Sequence, residues 1–178
     1  MKRENLRRLA VRMAKRERAL EGRDGRGAIS EDLDQLSCEL LGEVFDMLAD
    51  GKDISVVASV MNASGERLTC AFEEDSPEVC LSAAREWVQS GAKASGTARK
   101  AGTSLVGKAC CYAIAYEGAV DDPDASDDDA FLDAVLLEFG ERGSEVAYSA
   151  YSLVDGVGEG DGFRYTDPAP AGELPCLL

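Results

Sequence analysis

The stretch from Ala28 to Asp50 leaves this chain the least freedom. Leu33, Leu36, Leu40, Leu41, Val44, Phe45 and Leu48 recur at steps of three and four residues. Wound into a helix, they form one continuous apolar face. Ser30 is placed to cap it, Glu31 and Asp32 suit the positive end of its dipole, and Gly51 stops it. A helix with so broad an apolar face has to be covered by another layer.

The residues that follow predict that layer. Ile54 to Met61 is β-branched and apolar, and Arg67 to Phe72 alternates. Between them Gly65 offers a turn, so the pair reads as a β-hairpin. Ser76-Pro77-Glu78 opens a second helix with Cys80, Ala83, Ala84, Trp87 and Val88 as its stripe. Ala109 to Val120 reads as a strand, and Phe131–Phe139 and Glu145–Val154 as a second hairpin turning at Gly140–Gly143. The order α-β-β-α-β-β-β implies an α+β two-layer sandwich. Its expected form is a mainly antiparallel five-stranded sheet with both helices on one face. Phe163-Arg164-Tyr165 offers a short edge strand, and the last ten residues read as irregular. The expected organisation is a basic arm and linker over 1–27, one domain over 28–166 and an irregular tail over 167–178.

Charge divides along the same boundary. Met1 to Arg26 holds 10 Lys/Arg against 4 Asp/Glu, a net of +6, leaving −21 on the other 152 residues and −15 overall. Such asymmetry speaks about partners, not fold. The arm has no aromatic residue for base stacking, so nucleic-acid contact is expected only through its charge, if at all.

The chain contains no histidine. That excludes Ser-His-Asp and Cys-His catalytic arrangements and histidine-bearing zinc sites. None of the six cysteines forms a CxxC pair, there is no secretory signal, and no apolar run is long enough to span a membrane. The expectation is a cytoplasmic protein with reduced thiols and no cofactor.

Each remaining motif has a plain structural alternative. Gly102, Gly107 and Lys108 have P-loop spacing, but Ala109 stands where Mg²⁺ needs a hydroxyl, and a strand follows where a helix should. Asp122, Asp124, Asp128 and Asp133 fall at calcium-loop positions, making them weak metal candidates. Asp127 replaces the turn glycine, and the flanks are strand-like, so a solvated loop is the simpler reading. Glu117, Asp133 and Glu138 are the carboxylates that could converge for acid–base work. Cys110 and Cys111 adjoin, but neighbours on a regular strand point to opposite faces, which keeps their sulfurs apart. Tyr112, Tyr116, Tyr148 and Tyr151, with Tyr165, could make an interaction surface if one face stays open.

Tyr116-Glu117-Gly118, Asp133 through Gly143, and Ser76 through Arg85 resemble a small family of uncharacterised bacterial proteins, over roughly 28–154. The resemblance implies a cytoplasmic bacterial protein and brings no activity with it. From the residues themselves, the leading expectation is a non-enzymatic protein–protein interaction module with a protein partner or a second copy. The alternatives are an acidic immunity- or inhibitor-type protein that sequesters a basic partner, and a weak calcium binder acting through Asp121–Asp129.

Overall fold

The computed structural model describes residues 29–73, 76–92, 107–122 and 131–178. The basic arm lies outside them. Helix α1 spans Glu31–Ala49, and Ser30 caps it, its Oγ accepting from Leu33 N–H at 3.2 Å. Strands β1 (Val56–Asn62) and β2 (Arg67–Phe72) form the expected hairpin, with Gly65 in the left-handed region at φ +79°. Helix α2 spans Pro77–Gln89 and is capped by Ser76. Strands β3 (Ala109–Asp121), β4 (Phe131–Glu141) and β5 (Val146–Asp155) follow, then β6 (Arg164–Tyr165) and β7 (Ala169–Pro175).

The class is α+β, with a curled antiparallel sheet and helices packed against it. The sheet has seven strands where five were expected, in the order β2-β1-β3-β4-β5, with β6 and β7 both pairing the far side of β5. The last ten residues are therefore not irregular. Their prolines argued against a strand, but an edge strand uses only one side of its backbone and tolerates proline. A register shift at Ser149/Ala150 accommodates the pairing.

The helices do not share a face. Val57 and Met61 of β1 join Cys111, Ala113 and Ala115 of β3 in the core under α1. Val56, Ala58 and Val60 join Tyr112 and Ile114 in the core under α2. These sets alternate along the strands, so α1 and α2 cover opposite faces. The cause lies in β1, which is buried at all seven positions between β2 and β3 and needs cover on both sides. Leu174, Cys176, Leu177 and Leu178 extend the cover on the α2 face. On the other side, Tyr165 stacks on Phe45 of α1 at 4.3 Å between ring centroids.

Candidate functional site

Helix α1 packs mainly over β3, with lesser contact to β1 and β4, and stops short of edge strand β2. Between its C-terminal half and β2 lies an open groove of about 400 Å³. Met47, Val57, Thr69 and Ala71 make a largely apolar floor, and Glu43, Asp46, Asp50 and Lys52 form the rim. Both features come from periodicity. The apolar face of α1 turns inward at Met47, its next residues outward are acids, and β2 alternates so that Thr69 and Ala71 face the helix.

Arg67, at the start of β2, ties that strand to α1. Its guanidinium donates twice to Glu43, at 3.0 and 2.9 Å, and once to Glu39 at 3.2 Å. Its Nε donates to Ser59 Oγ at 2.7 Å, and Ser59 meets Thr69 Oγ1 at 2.8 Å. Lys52 pairs with Asp50 at 3.2 Å. Glu39, Glu43 and Asp50 thus meet two cations, and Asp46 adds a fourth carboxylate, leaving the rim acidic. Arg67 was not singled out in the sequence, although a lone arginine heading an alternating apolar strand is the signal that could have found it.

The opposite face carries a buried ion pair. Glu138 of β4 accepts from Arg85 of α2 at 3.0 Å (Nε) and 2.5 Å (Nη2), and from the Tyr116 hydroxyl at 3.1 Å. The Glu138 side chain is 6% exposed and that of Arg85 41%. Burial, then the nearby Glu138 charge, pushes the Tyr116 phenol up to about 12, so it remains a donor. Among the described residues, Arg85 and Tyr116 supply the side-chain donors to Glu138, which makes it a structural anchor.

Glu138 is separated from the other carboxylates of interest. Glu117 and Asp133 occupy the α1 face of β3 and β4, whereas Glu138 faces α2. Glu117 is exposed as a residue, yet surrounding protein partly desolvates its carboxylate and, with Asp53 and Asp133, raises its pKa. A hydrogen bond from the Ile54 backbone opposes this rise. The three expected acids therefore do not converge.

The tyrosines are likewise divided. Tyr112 is buried under the α2 face, and Tyr116 lies beside it on Glu138. Tyr148 packs on Phe139 on the α1 face, while Tyr151 is half-buried opposite Leu136. They form no single surface. Of the metal candidates, Asp124 and Asp128 lie outside the described residues, as does most of the P-loop-like stretch. Asp133 sits in β4 opposite Ala119, and Asp122 follows the end of β3. Among the described residues, no group of three or more Cys, Asp or Glu side chains is arranged to hold a metal ion.

The cysteine pair departs from expectation. Met61 pairs with Cys111 but Asn62 pairs with Ala109, so Cys110 is an extra residue in a β-bulge. The bulge turns Cys110 onto the same face as Cys111, and their sulfurs stand 3.7 Å apart. Neighbours on a regular strand would diverge, and the bulge breaks that regularity. Arg142 clamps the bulge, its backbone N–H donating to Cys110 O at 2.7 Å and its Nε to Ala109 O at 2.9 Å.

No family model, curated protein or solved structure matches this chain.

Proposed function

We propose that this protein is a non-enzymatic protein-binding module, with the groove between α1 and β2 taking a basic, amphipathic segment of a partner. The carrying observation is the groove itself, an apolar floor under an acidic rim beside an edge strand. Apolar side chains of the segment would cover Met47 and Ala71 while its lysines or arginines meet Asp46 and Asp50. The outer side of β2 adds backbone groups to which an extended segment can pair. A net charge of −15 steers basic partners toward the protein and sets two copies against each other. The same charge supports a second reading, in which binding serves to sequester the basic partner as an inhibitor would.

The test uses the full chain and a synthetic amphipathic Lys/Leu peptide of about 15 residues, long enough to span an interface groove. Backbone NMR shifts should concentrate at Met47, Val57, Thr69 and Ala71. Affinity should fall about tenfold as salt rises from about 50 to about 300 mM, because exposed charges are screened. Asp46→Lys with Asp50→Lys should weaken binding by about as much, through like-charge repulsion. Shifts confined to another surface, or affinity indifferent to salt, would remove the groove as the site. A doubled mass by light scattering that blocks the peptide would make a second copy the occupant instead.

A further inference from the structure

We propose that Cys110 and Cys111 form an oxidation site, a vicinal dithiol that hydroperoxides convert to a disulfide within the β3 bulge. Its geometry and its accessibility both point there. The bulge places both side chains on one face, the sulfurs are 3.7 Å apart, and the two thiols differ in access. Cys110 is half-buried, whereas Cys111 is buried in the core under α1. Oxidant therefore reaches Cys110 first and Cys111 is held in reserve. Burial, then its contact with Cys110, pushes the Cys111 thiol up to about 12, which keeps it protonated and protects it from direct attack.

The chemistry balances in two steps. Cys110 sulfur attacks the peroxide as its thiol proton passes to the departing oxygen; the O–O bond breaks, sulfur gains an oxygen as sulfenic acid, and the peroxide is reduced to water or alcohol. Cys111 sulfur then attacks Cys110 sulfur, an S–S bond forms, and the departing hydroxyl leaves as water with the Cys111 proton. The sulfurs must close from 3.7 Å to about 2 Å. The residues are adjacent in sequence, so the bridge closes only a small ring around the peptide bond between them and acts on the bulge alone. It withdraws the Cys110 thiol from Met61 O, to which it donates at 3.3 Å, and alters the contact between Cys111 and the Ser30 cap of α1.

The experiment treats the full chain with a small molar excess of hydrogen peroxide. Intact mass should fall by two hydrogens, the denatured protein should titrate two thiols short of six, and dithiothreitol should restore both. Proteolytic mapping should place the whole change on the peptide containing 110 and 111. Cys110→Ser should abolish the thiol loss, and Cys111→Ser should leave a sulfenic acid on Cys110 that dimedone captures. Persistence of all six thiols, a bridge from Cys110 to Cys176, or undiminished loss in Cys110→Ser would each overturn the proposal. If Cys111→Ser does not fold, mapping of the unsubstituted chain and Cys110→Ser still decide it.

Discussion

Replacing Arg85 with methionine tests whether the Arg85–Glu138 pair holds α2 to the sheet. The substitution keeps the apolar stem and removes both guanidinium bonds, leaving Glu138 with only the Tyr116 hydroxyl. Removing one partner of a buried ion pair costs about 3–5 kcal/mol, because the other charge stays in low dielectric. Here Arg85 is 41% exposed while Glu138 is 6% exposed. Water can enter where the guanidinium lay, which lowers the expectation to about 2–3 kcal/mol. For a chain of this length that is a fall of roughly 4–12 °C in Tm. Glu138→Leu should cost less, about 1 kcal/mol, because the freed guanidinium turns to solvent and no buried charge remains. The double variant Arg85→Met/Glu138→Leu should therefore be more stable than Arg85→Met alone, by about 1–2 kcal/mol. Urea unfolding of the four proteins at neutral pH measures each quantity. An Arg85→Met variant within about 0.5 kcal/mol of the parent, or costs that simply add in the double variant, would refute the argument that Glu138 is a dependent buried charge.

Two further substitutions test the sheet directly, beside the peptide titration and the peroxide experiment. A Cβ at Gly140 would meet Tyr112 Cε1 at 2.8 Å and Ala147 Cβ at 2.9 Å. Gly140→Ala should therefore destabilise the protein by about 1–3 kcal/mol in denaturant unfolding, the usual cost of overpacking, and a neutral result would mean that the β4–β5 hairpin yields easily. Glu117 has a folded-state pKa raised above its unfolded value, so the folded state holds the proton longer and stability falls as pH rises through that range. Glu117→Gln should lose this fall, gaining stability over the parent near pH 7 and no advantage below about pH 4. Identical pH dependence of Tm in the two proteins would contradict that sign.

Much of the local structure was legible because it depends on near neighbours. The leucine spacing of 33–48, the caps Ser30 and Ser76, and Gly65 each predict one element and its ends. Charge patterning likewise marked residues 27–178 as an acidic body. The groove was only half legible. Met47, Ala71 and the rim acids lie in elements that were expected, but the gap between α1 and β2 exists because α1 settles over β3. The pairing of Arg85 with Glu138 joins residues 53 apart in the chain, which no local pattern encodes.

The sequence by itself determined the elements, their antiparallel order and their capping, since turn chemistry and side-chain periodicity act over a few residues. Only the tertiary structure decided that the helices cover opposite faces, that residues 169–175 join the sheet, and that Cys110 meets Cys111. Each of these depends on a strand finding partners distant in sequence. β1 carries apolar residues on both faces, and the helices that cover them lie on either side of it along the chain. β7 is a strand because β5 has an edge to pair. The cysteines face the same way because the ladder between β1 and β3 slips by one residue at Asn62, and a single slip reverses the alternation on which the sequence reading relied.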